Sequence, residues 1–146
     1  MKHLWSIICG RAIINNETKT ISLIDVLEEL TFYNMTESSE GKTKVAFPCD
    51  FEVVSYWVRD DANREKYVDF SLEIIDPNNE KIGESNNKMS FPQDSQKRMR
   101  TIIKSRAFVF TVDGIYLFKI KMNEGSTYRT VAEFPIDVRL RKTEVK

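Results

Sequence analysis

The sequence predicts an all-β chain folded as a two-layer antiparallel β-sandwich of about eight or nine strands. Two alternations carry that prediction. From Ile115 to Met122 the even positions Tyr116, Phe118, Ile120 and Met122 are large and apolar, while the odd positions end in Lys119 and Lys121. From Tyr67 to Ile75, Val68, Phe70, Leu72 and Ile74 alternate with Asp69, Ser71 and Glu73. Period-two alternation places one face of a strand on a core and the other in water. A third observation sets the class: short apolar runs recur between polar turns along the chain, and none settles into a helical period, the pattern of packed sheets. With 146 residues, 41% of them hydrophobic, the chain has the size of one domain, residues 1–146, and can bury a core without staples.

The elements follow in order. Leu4 to Ile14 and Thr20 to Val26 are apolar and β-branched around the polar group Asn15 to Lys19, which predicts a hairpin with a loop of about five residues. Leu23 to Leu30 fits both a helical and a strand spacing, and is taken as strand followed by an irregular turn. The polar run from Met35 to Lys44 has no periodicity, and residues 35–46 are expected to form a flexible surface loop. Phe51 to Arg59 has apolar residues on both parities, the mark of a central strand or of one whose outer face meets a partner. Asp76, Pro77, Asn78 and Asn79 predict a tight turn, Pro presetting one dihedral and Asn tolerating a positive one.

Two short strands are expected near Lys81 to Glu84 and Lys88 to Phe91, separated by Ser85, Asn86 and Asn87. Arg98 to Val112 is long enough for two strands or one bent one. Asp113 and Gly114 then turn the chain into the Ile115 strand, and Glu124 to Ser126 close the next hairpin. Tyr128 to Phe134 pairs back, and Ile136, Val138 and Leu140 form a last inward row after a break at Pro135.

Asp113, Gly114, Ile115, Tyr116, Leu117 and Phe118 resemble the corner before a late strand of immunoglobulin-like sandwiches, with Phe118 where antibody domains keep a cysteine and Trp57 as the central core tryptophan. Ile7 to Arg11, Ser22 to Asp25 and Leu72 to Pro77 further resemble a family of small uncharacterised bacterial proteins. That resemblance implies a bacterial or phage-like origin and a sandwich fold, and it transfers no site.

Formal charge is zero, from 22 basic and 22 acidic residues, so no global field draws the chain to nucleic acid or to an anionic membrane. The distribution is uneven: residues 1–96 hold 10 basic against 17 acidic residues, and residues 97–146 hold 12 against 5. Such a split reads either as a sheet with an acidic and a basic side or as complementary halves folded together. Leu4 to Cys9 is too short for a signal-peptide core or a bilayer span, and the chain is expected to be cytoplasmic. Cys9 and Cys49 are expected to be buried thiols, a disulfide requiring an oxidising compartment.

The inventory for catalysis is thin. His3 is the one histidine and lies at an end expected to fray, so no Ser/His or Cys/His machinery is predicted. No zinc spacing and no glycine-rich phosphate loop occurs, and no cofactor is expected. Asp60, Asp61, Asp76 and Glu80 could meet around calcium at one end of a sandwich, but Asp is common in polar turns for conformational reasons.

The leading expectation is a non-enzymatic module acting through protein contacts, with an unknown protein partner or as a homodimer, whose interface uses Val54, Tyr56 and Val58. The alternative is a nucleic-acid or anion binder using residues 97–106, where Arg98, Arg100, Lys104 and Arg106 share one parity. Same-face neighbours on a strand lie ~6.6 Å apart, close to the phosphate spacing of a nucleic-acid strand. An enzyme is the third expectation.

Overall fold

The structure, a computed structural model, describes residues 1–34, 44–60, 66–91 and 95–142. It is all-β, and no helix occurs among the described residues. Among the described residues nine strands form two sheets. They are β1 (Lys2–Ile14), β2 (Ile21–Val26), β3 (Glu29–Asn34), β4 (Val45–Val58), β5 (Tyr67–Ile75), β6 (Lys81–Ser90), β7 (Arg98–Phe110), β8 (Gly114–Glu124) and β9 (Thr127–Lys142). One sheet has the order β2-β1-β4-β7 and the other β3-β9-β8-β5-β6. The five-stranded sheet is curled into a half-barrel.

The core lies between the sheets, and both alternations point into it as expected. Tyr116, Phe118, Ile120 and Met122 of β8 are all buried, as are Val68, Phe70 and Leu72 of β5. From the other sheet Phe51, Val53 and Trp57 of β4, with Phe108 and Phe110 of β7, meet them. The aromatic rings interlock in tilted and edge-on contacts, Trp57 against Phe70 and Phe51 against Phe118, which is how quadrupoles pack in a dense interior.

The expected first hairpin, the central position of β4 and the Asp76 turn are present. Three expectations need correction. The sheets are not wholly antiparallel: β3, expected as an irregular turn, is a strand running parallel to β9. Residues 27–28 carry the chain between the sheets, the Leu27 N–H donating to Ile8 O and the Asp137 N–H to Glu28 O.

Lys81–Ser90 is one strand instead of two, because Ser85, Asn86 and Asn87 each find a cross-strand partner on β5 and the ladder overrides their weak strand propensity. Arg98–Phe110 takes the second of its two expected forms, one strand, with a register irregularity opposite Pro48 to Phe51. Pro135 does not break β9. It lies where β9 pairs with β8 alone, β3 joining only from Asp137, so its missing N–H removes no bond on the open side. Most of the expected 35–46 loop lies outside the described residues, and Val45 and Ala46 already belong to β4.

Two turns at one end of the molecule are fastened together. Asp76 Oδ1 accepts the N–H groups of Asn78 and Glu80 at 3.0 and 2.8 Å, and Thr111 Oγ1 donates to Asp76 Oδ2 at 2.7 Å. The Tyr116 hydroxyl donates to Val112 O at 2.9 Å and accepts the Thr111 N–H at 2.8 Å. Gly114 in this corner has φ +147°, and a Cβ there would come within 2.9 Å of Pro77 Cγ.

Candidate functional site

The two faces that look outward differ in character. On the five-stranded sheet the charges pair off across strands: Glu73 with Lys81 and Lys121, Lys119 with Glu133, Lys88 with Asp69. Arg129, Arg139 and Arg141 likewise meet Glu124, Asp137 and Asp113. Lys121 pairs with a carboxylate of the N-terminal half, as the complementary reading expects, whereas Lys119, Arg129, Arg139 and Arg141 pair within residues 97–146. This face is a solvated lattice of ion pairs.

The outer face of the four-stranded sheet is mixed, and it brings the two sequence-predicted sets together. Register makes Val54 opposite Ile102, Tyr56 opposite Arg100 and Val58 opposite Arg98. The expected apolar interface and the expected basic stripe are thus adjacent strands of one surface. Tyr56 and Val58 are half-buried, whereas Val54 is fully buried and presents no contact surface of its own.

β1 leaves β4 after the Cys9 and Glu52 pair, and its continuation stays paired with β2 as an arm. Gly10, the next residue, lies beside Asp25, which has a left-handed φ of 54°. The arm crosses the outer side of β4, since the Ala12 N–H donates to Glu52 Oε2 at 2.8 Å. Glu52 is itself buried, and its other oxygen meets Lys104 Nζ at 3.3 Å.

Between the arm and the sheet runs an open groove of about 530 Å³. Ile14 and Lys19 of the hairpin form one wall; Tyr56, Met99, Arg98 and Arg100 form the floor, with Gln96 at the end. Three cations from two separate elements line it, and among the described residues no carboxylate does. The Arg100 guanidinium lies 5.6 Å from the Tyr56 ring centroid, and Tyr56 lies 5.6 Å from the ring of Trp5.

Of the predicted stripe, Arg98 and Arg100 reach the groove. Lys104 is taken up by Glu52, and Arg106 is exposed at the register irregularity between β4 and β7. Sequence reasoning missed Lys19 and Trp5. Lys19 sits in a loop whose position over β4 no local pattern specifies, and Trp5 joins Tyr56 only through strand pairing.

Other candidates do not assemble. His3 is not frayed: it lies in β1, edge-on to Trp57 at 4.9 Å, and its Nε2 is 2.7 Å from Ser6 Oγ, which is 2.7 Å from Ser55 Oγ. Burial lowers the His3 pKa despite an opposing hydrogen bond with the Trp5 backbone. No carboxylate orients this ring among the described residues, and Ser55 is buried, so the trio reads as a polar link between β1 and β4.

Asp76 spends its oxygens on its turn, Glu80 faces Lys44, and Asp61 lies outside the described residues. No group of three candidate metal ligands occurs among the described residues. Cys9 and Cys49 are free thiols, both with pKa raised by burial and then by a nearby carboxylate. No helix among the described residues is long and apolar enough to cross a membrane. No protein-family model, curated protein or solved structure matches the chain.

Proposed function

We propose that the protein is a non-enzymatic binding module, and that its groove beneath the β1–β2 arm takes an anionic group. The observation that carries this reading is the convergence of Lys19, Arg98 and Arg100 on one groove that no carboxylate lines among the described residues, in a chain of zero net charge. Lys104, Lys119, Lys121, Arg129, Arg139 and Arg141 each meet a carboxylate, whereas Lys19, Arg98 and Arg100 line one groove together. Guanidinium groups match oxyanions through paired N–H donors, and a floor already ordered by Tyr56 lowers the entropy lost on binding.

Calorimetric titration with inorganic pyrophosphate tests it. Binding is expected to weaken as salt rises, and the double substitution Arg98→Glu with Arg100→Glu is expected to lower affinity by at least about a hundredfold, each charged hydrogen bond contributing roughly 1.5–3 kcal/mol. Arg106→Glu, outside the groove, should leave affinity within about twofold. Salt-insensitive binding, or equal losses in both variants, sinks the assignment.

A second reading, contact with a protein partner or a second copy, is favoured by β2. This edge strand carries one charge, Asp25, and exposes Ile24 and Val26, whereas the edges β6 and β7 carry several cations. An edge so poorly protected is a template for strand addition. Light scattering after size exclusion should then show a dimer that Ile24→Lys returns to monomer. A strictly monomeric wild type across the concentration series would remove the self-association.

The fold kinship proposed here is immunoglobulin-like, supported by the Tyr116 corner and the buried Trp57. A bacterial origin and a cytoplasmic setting complete the reading, the latter supported by the two free thiols.

A further inference from the structure

On the outer face of the four-stranded sheet, Trp5, Tyr56 and Arg100 occupy one cross-strand row. Trp5 and Tyr56 are tilted by 36° with centroids 5.6 Å apart, and the Arg100 guanidinium stands 5.6 Å from the Tyr56 centroid. All three are half-buried, so neighbours hold them while one side stays reachable. The row is open at its Trp5 end: β2 pairs with β1 only from Cys9 onward, leaving β1 without a second neighbour in the sheet there. The guanidinium lies over the Tyr56 ring with the tilted Trp5 ring alongside, a row whose remaining open faces can stack a flat π-system.

The charges sit beside this row. Arg98 lies two residues from Arg100 along β7, ~6.6 Å away in extended chain, and Lys19 faces both across the groove. A ligand that satisfies the whole surface carries a phosphate for the cations and, one sugar away, an aromatic base for the row. An anion without a ring leaves the row unused, and a duplex keeps its base faces stacked inside.

We propose that the groove binds nucleobase-bearing phosphates, Arg98 and Lys19 holding the phosphate while Trp5, Tyr56 and Arg100 stack the base. The inference rests on the anion-binding reading and adds the chemistry of the ligand to it. Two sources share that chemistry, a free nucleotide and an unpaired nucleic-acid strand. Base stacking on aromatic side chains is tolerant of sequence, so recognition would be general.

The test compares ribose 5-phosphate with uridine 5′-monophosphate, which differ by the base alone, on the full chain by calorimetry and tryptophan fluorescence. The nucleotide is expected to bind about tenfold tighter or more and to quench Trp5 emission. Trp5→Leu, outside the groove lining, is expected to erase that difference and leave pyrophosphate affinity within about twofold, whereas Tyr56→Leu is expected to erase it and also to weaken pyrophosphate by freeing Arg100. Tyr56→Phe, which keeps the ring, should retain it and guards against a folding artefact.

Equal affinity for the two phosphates, with pyrophosphate still binding in a salt-sensitive way, overturns the stacking inference and leaves the anion reading intact. Failure of all three ligands overturns both. If the inference holds, a short oligothymidylate that binds tighter than the mononucleotide marks the strand as the source, and equal binding marks the free nucleotide. An acidic peptide without phosphate that binds as tightly as the nucleotide overturns the proposal.

Discussion

Trp57→Ala is expected to cost about 3–5 kcal/mol of folding stability, the range for truncating a large aromatic in a packed core. Trp57 is 0% exposed and joins the two sheets: its ring packs on His3 from β1 and on Phe70 from the opposite sheet at 5.4 Å. Its Nε1–H donates to Thr101 Oγ1 at 2.9 Å, so truncation also leaves a half-buried hydroxyl without that donor. Domains of this size are stable by only about 5–15 kcal/mol, so the variant would lose a large share of its margin. Urea unfolding measures it. Trp5→Leu, at a half-exposed site, should cost under about 1 kcal/mol by the same assay. Similar midpoint shifts for the two would mean that the core is not organised around Trp57.

Asp76 is expected to give the largest polar effect, and one that depends on pH. Burial alone would raise its carboxyl, but the hydrogen bonds from the Thr111 hydroxyl and from the N–H groups of Glu80 and Asn78, with Lys44 nearby, outweigh it and hold the pKa below its ordinary value. A depressed carboxylate pKa adds stability that is complete above the unfolded-chain value, about 3.9 for Asp. That contribution is lost as the pH falls through 3.9 and on through the lower folded value.

Asp76→Ala strands three donors at the point where the β5–β6 and β7–β8 turns meet, an expected cost on the order of 3 kcal/mol at neutral pH. The gap between wild type and Asp76→Asn should be constant above about pH 5 and shrink below pH 4. Urea midpoints at three pH values decide it, and a gap that stays constant into acid would show that the carboxylate's charge plays no part.

What could be read in the residues was local. The alternation in β8 identified its buried face residue by residue, because a period of two needs no knowledge of the partner strand; in β5 it found Val68, Phe70 and Leu72, but Ser71 and Glu73 on the other face are buried too. The two-parity apolar run of β4 was recognisable as a central strand, and the Asp76 and Asp113 turns announced themselves by turn chemistry. The strand character of Ser85 to Asn87 and the continuity of β9 through Pro135 were not legible, since both depend on which strand lies alongside and on which side is left open.

The candidate site was legible only in pieces. Tyr56, Arg98 and Arg100 were identifiable as unusual, yet in two competing roles; the sequence by itself determined that the chain is all-β, which faces of its strands are buried, and that positive charge gathers on residues 97–106. Only the folded sheet sets Tyr56 opposite Arg100 and Trp5, leaves Val54 fully buried and brings Lys19 to the groove. The physical reason is range. A strand's faces follow from its own alternation, but the register between strands some forty residues apart follows from the packing of the whole core, which no short stretch encodes.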